Sequence, residues 1–227
     1  LKEGEYFDIV FHFGEYSRVE QSLSEPYKTL ENSYSCLPSV LEYCRRIDTK
    51  LVYSGSSTKF AMNGNGSELS PYTLAKSLNT TLTKNFCEWF SVRYAICYFY
   101  NAYGGRETAD GNYATVVAKF KRLFEEGRRT LPVRSPGTQL RNFTHIDDII
   151  TGIITVAEHG EGDEFGIGSD EAVSLIELCS YFGLDAEMME GHASNRTHGE
   201  LITAKTKSLG WNPRKNLRAH IEEFIAG

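Results

Sequence analysis

Lys50-Leu51-Val52-Tyr53-Ser54-Gly55-Ser56-Ser57-Thr58, followed by Ser70-Pro71-Tyr72-Thr73-Leu74-Ala75-Lys76, is the stretch around which the chain is organised. Its first part reads as a short apolar strand running into small hydroxyl residues. Its second part opens a helix. Pro71 stands where a helix tolerates proline, and Ser70 before it is a cap. Leu74, Leu78, Leu82 and Phe86 recur every four residues and give that helix an apolar stripe. Tyr72 and Lys76, also four apart, share a helical face, so phenol and ammonium point into one site. A free tyrosine, with a pKa of about 10, is a poor base at neutral pH. A neighbouring cation lowers that value, which lets such a pair move a proton to or from a hydroxyl. By itself the spacing also describes an ordinary exposed helix pair, so its surroundings decide.

Those surroundings alternate strand and helix. Residues 7–13 read as a strand. Residues 26–46 read as a helix with Leu30, Leu37, Val40 and Leu41 on one side, and Pro38 marks a kink or a late start. A strand at 50–54, a polar loop at 59–69, the Pro71 helix and a strand at 92–100 complete the pattern. Alternation of this kind specifies an α/β fold with a doubly wound parallel sheet. Beyond residue 104 the texture changes. Gly104, Gly105, Gly111 and Asn112 form a loop, and Pro132, Pro136 and Gly137 break the chain. Helices are expected near 113–127, 146–159 and 173–182, with a short strand at 164–167. There are no internal repeats and no low-complexity linker.

Composition narrows the function classes. The 227 residues carry a formal net charge of −6 and 41% hydrophobic residues, enough for a core. The acidic balance and the lack of a Lys/Arg stripe argue against nucleic acid. No apolar run approaches the ~20 residues of a membrane span. Cys36, Cys44, Cys87, Cys97 and Cys179 have neither metal nor disulfide spacing and suit reduced thiols in a cytoplasmic protein. The histidines do not cluster. His12 reads as a core strand residue, and His145 near Asp147 and Asp148 has no second ligand near in sequence, so no metal is expected.

Strand, hydroxyl cluster and Pro-Tyr-xxx-Lys helix together resemble the extended short-chain dehydrogenase/reductases, in particular their NAD-dependent nucleotide-sugar epimerases and dehydratases. Further blocks follow in family order. Asp8–Gly14 looks like the family's fourth sheet strand and the turn beside the cofactor. Tyr98-Phe99-Tyr100-Asn101-Ala102-Tyr103-Gly104, Gln139–Asp148 and Leu209-Gly210-Trp211-Asn212-Pro213 look like its RYFNVYG, RDFxxVxD and LGWxP segments. The resemblance implies a Rossmann-type sheet, with residues 1–104 as the remainder of the cofactor domain. Residues 105–227 would form a smaller substrate-binding lobe partly interleaved with the large sheet. It also implies a Gly-rich phosphate-binding turn and an acidic residue about 20 positions later. Neither is present. Asn63-Gly64-Asn65-Gly66 follows no clear strand, and Gly166-Ile167-Gly168 has Glu171 in place of a third glycine. Some 60 residues of the fold are therefore expected to precede this stretch, given that the fingerprint unit spans ~30.

The resemblance assigns roles residue by residue. Ser56, with Ser57 as the fallback, would hold the reacting oxygen, Tyr72 would be the general acid/base, and Lys76 would depress its pKa and bind the nicotinamide ribose. The bland reading of Ser56 is a loop serine satisfying backbone groups. Phe13, Gly14, Glu15, Asn32, Ser54 and Phe99 would border the NAD cofactor, as would Tyr72 and Lys76. Ser57, Thr58, Asn101, Arg141 and Arg196 would hold a nucleotide-diphosphate sugar, arginine's fork suiting phosphate oxygens. The alternative for Arg141 is pairing with Asp147 or Asp148. Glu15 departs from the small residues usual in the family and would set a carboxylate near an anionic cofactor. Tyr98 and Asn142 stand where arginine and aspartate are common.

Dehydratases of the group carry Asp-Glu after the catalytic hydroxyl residue, and decarboxylases a glutamate in the same region. Here Ser56 is followed by Ser57-Thr58-Lys59. The expected activity is therefore epimerisation through a keto sugar, in a homodimer paired through the Tyr72 helix and the helix before it. The alternatives are a dehydratase or reductase of the same group, or a non-catalytic fragment that binds a nucleotide or a partner.

Overall fold

The computed structural model of the chain describes residues 6–60, 70–190 and 200–227. In chain order the elements are β1 (Ile9–His12), α1 (Val19–Ser24), α2 (Pro26–Tyr34), α3 (Leu37–Ile47), β2 (Lys50–Ser56), α4 (Pro71–Phe90), β3 (Tyr94–Phe99) and β4 (Ala102–Tyr103). Then come α5 (Val116–Glu125), β5 (Thr130–Arg134), β6 (Leu140–Arg141), β7 (Thr144–His145), α6 (Ile146–His159), β8 (Gly162–Ile167) and β9 (Val173–Ser174). The chain closes with α7 (Leu175–Tyr181), β10 (Asp185–Met189), α8 (Ala204–Ser208) and α9 (Leu217–Ala226).

The main sheet has four strands in the order β1-β2-β3-β8, and all its pairings are parallel. Parallel strands covered on both faces are apolar at nearly every position, and β2 is buried along its whole length. Successive side chains point to opposite faces. Leu51, Tyr53, Ile96 and Tyr98 therefore pack with Leu37, Leu41 and Cys87 of α3 and α4. Val52, Ala95 and Cys97 face the other way, onto Ile149 and Val156 of α6 and onto Trp211. Gly55 permits this packing, because a Cβ there would strike the Tyr98 ring. Lys50, buried at the start of β2, donates to the carbonyls of Ala157 at 2.7 Å and Gly160 at 2.5 Å, capping the end of α6.

The helix expected over 26–46 is divided into α2 and α3, and Pro38 lies in the first turn of α3, where a missing N–H costs nothing. On α4 the expected apolar stripe packs against the core only in its second half, through Leu82 and Phe86. Leu74 and Leu78 are 43% and 50% exposed. Thr73, Ala75, Lys76, Asn79, Thr80, Thr83 and Cys87 face inward instead.

A second core lies around the parallel pair β5–β10 and helices α5, α7 and α9, built on Phe120, Leu131, Val133, Phe143, Leu178, Phe182 and Ile221. Pro132 sits within β5, a strand that the sequence pattern does not show. Between the cores, Asp148 at the start of α6 accepts from the backbone amides of Arg214 and Lys215 at 3.0 and 2.8 Å, while Trp211 donates to its carbonyl. Cys44, Cys87, Cys97 and Cys179 are buried, Cys36 is exposed, and all are free thiols. Among the described residues no helix is long and apolar enough to cross a membrane.

α4 starts on a capping box: the Thr73 amide donates to Ser70 Oγ at 3.2 Å, and the Ser70 amide donates to Thr73 Oγ1 at 2.9 Å. Ser70→Ala is expected to cost about 1 kcal/mol, measured as a lowered urea midpoint with an unchanged m-value.

Candidate functional site

The carboxyl ends of β1, β2 and β3 open onto a cleft of about 550 Å³, the place where an open α/β sheet receives ligands. β2 ends in Ser54-Gly55-Ser56 and delivers its hydroxyls there. α4 then runs back along the sheet and turns Tyr72 and Lys76 inward. Phe13 and Phe99, at the exits of β1 and β3, meet edge to face at 5.5 Å and form an apolar wall.

The Tyr72 hydroxyl donates to Ser56 Oγ at 3.2 Å, and Ser56 Oγ is also 2.8 Å from Thr58 Oγ1. This chain of hydroxyls passes a proton without a large movement. Lys76 lies deeper. Its Nζ donates to the Ser54 carbonyl at 2.8 Å and to Ser54 Oγ at 3.3 Å, and it pairs with Glu15 Oε2 at 2.7 Å. Its side chain is 6% exposed and that of Glu15 1%. Glu15 also accepts from Tyr53 Oη at 2.9 Å and Asn79 Nδ2 at 3.0 Å, with His12 Nε2 3.5 Å away.

Glu15 borders the cleft and is at the same time the buried counter-ion of Lys76. The Lys76 charge is met by Glu15, and its donors go to Ser54 and Glu15. Burial raises the Tyr72 phenol above its ordinary value, with the Glu15 charge adding to this and the Ser56 hydrogen bond and Arg18 opposing it. Burial lowers the Lys76 ammonium, and the Glu15 charge and hydrogen bond counteract that shift. For Glu15, burial alone would raise the carboxyl. The hydrogen bond with His12, the Lys76 charge and hydrogen bond, and the Tyr53 hydroxyl outweigh it and hold the group below its ordinary value.

Of the other residues singled out in the sequence, Ser57, Thr58, Asn101 and Arg141 line the same cleft. Arg141 Nη1 donates to the Leu140 carbonyl at 2.9 Å. The carboxylates considered as its partners are otherwise engaged, Asp148 as described above and Asp147 3.5 Å from His145. Gly14 is exposed at the β1 exit, and Asn32 is exposed on α2; neither lines the cleft. Ser33 beside Asn32 is the buried residue, its carbonyl accepting from Asn79 at 2.7 Å. Arg196 lies outside the described residues. Tyr98 is a core residue bonded to Asp163 at 2.6 Å and Lys59 at 3.2 Å, and Asn142 ties down the Ser169 carbonyl at 3.0 Å.

Two further residues enter the site beyond those marked by the sequence. Asn79 follows Tyr72 and Lys76 at helical spacing, and that periodicity was the available signal. Arg18, just before α1, lines the cleft and donates to the Tyr113 carbonyl at 2.5 Å. Nothing local in the sequence marks it.

The sequence pattern of the NAD dependent epimerase/dehydratase family matches residues 2–168. The chain belongs to this family. It is 24% identical to mouse dTDP-D-glucose 4,6-dehydratase over 94% of its own length and 65% of that protein's. It is 27% identical to an uncharacterised UDP-glucose epimerase of Bacillus subtilis, covering 96% of this chain and 73% of that one. Among solved structures, the UDP-glucose 4-epimerase of Thermotoga maritima with UDP-glucose superposes with a TM-score of 0.85 at 22% identity, over 96% of this chain and 76% of that one. A UDP-glucuronic acid 4-epimerase of Bacillus cereus in complex with UDP-glucuronic acid and NAD gives 0.85 at 21%, over 96% and 75%. These likenesses show the fold.

The residues present fit one half of the family's NAD. The apolar wall of Phe13 and Phe99, the Ser54 hydroxyl, and a buried ammonium with one long, exchangeable bond make a donor set that suits the nicotinamide-ribose half.

A depressed carboxyl contributes stability that is present above its unfolded value of 4.5 and fades as pH falls through the lower folded value. Glu15→Gln is accordingly expected to cost about 3–5 kcal/mol at neutral pH, as for one partner removed from a buried pair. The deficit shrinks in the acidic range, which urea unfolding at several pH values would show.

Proposed function

We propose that the protein epimerises the sugar of a nucleotide-diphosphate sugar through a transient keto sugar. Tyr72, as the phenolate formed once its own proton has left, takes the proton of a sugar hydroxyl, and Ser56 hydrogen-bonds the same oxygen. Bound NAD would supply the hydride acceptor and donor for the carbon carrying that oxygen. Lys76 and Ser54 hold the nicotinamide ribose beside Phe13 and Phe99. Ser57, Thr58 and Asn101 border the sugar. Arg141, and Arg196 by resemblance, meet the diphosphate. The keto sugar turns over between the two transfers, and Tyr72 returns its proton to the oxygen on the way back.

The observation that carries epimerisation over elimination is the state of the cleft's carboxylates. Among the described residues these are Glu15 and Glu20. Glu15 is bonded to Lys76 at 2.7 Å and Glu20 to Arg134 at 2.6 Å. Elimination across neighbouring sugar carbons needs a further acid and base, whereas epimerisation needs only the Tyr72–Ser56 pair. The residues after Ser56 supply a lysine rather than a carboxylate, and Lys59 is tied to Asp163 at 2.8 Å.

Incubation with NAD and UDP-glucose, UDP-galactose or UDP-glucuronic acid, read by NMR, is expected to give the C4 epimer. A 4-keto-6-deoxy sugar in its place would make the protein a dehydratase. Tyr72→Phe is expected to lower turnover about 10²–10⁴-fold, with the fold preserved by circular dichroism.

The homodimer belongs to this reading. Tyr27 and Leu30 on α2 and Leu74, Leu78, Trp89 and Phe90 on α4 are exposed apolar residues on two helices packed side by side. Surfaces of this kind mark interfaces. Light scattering is expected to give twice the monomer mass, and Leu78→Asp the monomer.

A further inference from the structure

Lys76 cannot be understood apart from the groups around its ammonium. An ammonium has three donors and no acceptor. All three are placed: the Ser54 carbonyl at 2.8 Å, Ser54 Oγ at 3.3 Å and Glu15 Oε2 at 2.7 Å. The Tyr53 ring adds a π-face 5.1 Å from Nζ. Glu15 accepts from Tyr53 of β2 and Asn79 of α4, with His12 Nε2 of β1 3.5 Å away. Asn79 is fixed in turn by the Ser33 carbonyl of α2 at 2.7 Å. Every element packed around the pair thus orients the carboxylate, and the carboxylate orients the ammonium.

We propose that Glu15 is a positioning residue that keeps Lys76 charged and turned toward β2, so that the site presents an electroneutral Glu15–Lys76 pair to its ligand. An ammonium with a side chain 6% exposed loses its proton readily unless a counter-ion compensates it. Glu15 is that counter-ion. With it in place, the lysine stays a donor at working pH and has one weak bond, the 3.3 Å contact to Ser54 Oγ, to exchange for a ligand hydroxyl. The Lys76 charge is met by Glu15, and the Tyr72 phenol is set by burial and the Glu15 charge, which raise it, against the Ser56 hydrogen bond and Arg18, which lower it.

The other titratable or charged groups facing the pair are His12 on β1, Tyr53 on β2, Tyr34 on α2, Tyr72 on α4 and Arg18 ahead of α1. Among the described residues of this set, Glu15 is the group that supplies negative charge directly to Lys76. The pairing itself does not depend on the proposed activity; only the identity of the ligand hydroxyl rests on that reading.

The test is direct titration of Lys76 by NMR of protein labelled with ¹³C at lysine Cε, its resonance assigned with Lys76→Arg. In Glu15→Gln, which keeps the side-chain shape but removes the charge and replaces one acceptor oxygen with a donor, the Lys76 titration is expected to move to lower pH than in the native chain. Glu15→Asp is expected to fall between the two, and it carries the comparison if the glutamine variant does not fold. An unchanged titration in both variants would overturn the proposal. NAD affinity by calorimetry supplies the second reading. For Glu15→Gln it is expected to fall about tenfold for each pH unit above the new lysine value and to recover at lower pH. A uniform loss at every pH would mean that Glu15 only supports the fold. If the native chain binds no NAD while Lys76 still titrates lower in Glu15→Gln, the nucleotide-sugar reading fails and the role of Glu15 stands.

Discussion

A buried ammonium at the carboxyl end of a parallel strand is the constraint around which this structure is arranged. Lys76 must reach the end of β2 to serve the cleft, and there it is almost wholly out of water. The desolvation cost of such an ion exceeds what any one hydrogen bond returns. The fold meets it with a carbonyl from β2, a carboxylate from the turn after β1, and an aromatic face. β1, β2, α2 and α4 are consequently fixed relative to one another by a polar network as well as by the apolar core beneath it. Within this network the tyrosine, the asparagine and the carboxylate satisfy one another.

The same arrangement separates two tasks within a short length of α4. Tyr72, toward the mouth of the cleft, shares its hydroxyl with Ser56. Lys76, one turn deeper, is committed to Ser54 and Glu15. A lysine left unpaired at that depth would act strongly on the phenol. Paired, it contributes donors to the base of the cleft, and the hydroxyl chain of Tyr72, Ser56 and Thr58 lies beside it. The carboxylate that the family resemblance made look out of place is what allows a charged lysine to remain in so dry a position.

Much of the architecture is legible in the amino-acid pattern itself. The parallel sheet follows from alternating strand and helix patterns, and α4 follows from Ser70, Pro71 and a long periodic run. The Tyr72–Lys76 face follows from helical spacing alone. Where the pattern misleads, the reasons lie in packing. Leu74, Leu78, Leu82 and Phe86 form a clear stripe, yet only Leu82 and Phe86 pack on the core, and the residues α4 buries most fully are threonines, an alanine, a lysine, an asparagine and a cysteine. β5 carries a proline and adjoins arginines, so its apolar content is too thin to register as a strand. Asn32 matches a family position by order in the sequence, but the phase of α2 turns Ser33 inward.

Sequence alone determined the strand–helix alternation of residues 7–100, the parallel sheet and the shared face of Tyr72 and Lys76. Each of these rests on local periodicity or on the stereochemistry of adjacent residues. Only the tertiary structure decided how Lys76 is used. Its partner Glu15 precedes the α2–α3 unit, and the asparagine that orients that partner lies 64 residues further along the chain. No periodicity spans such a distance. Contacts of that kind are set by which strand ends the sheet brings together, and by the rule that a charge taken out of water must be met by another.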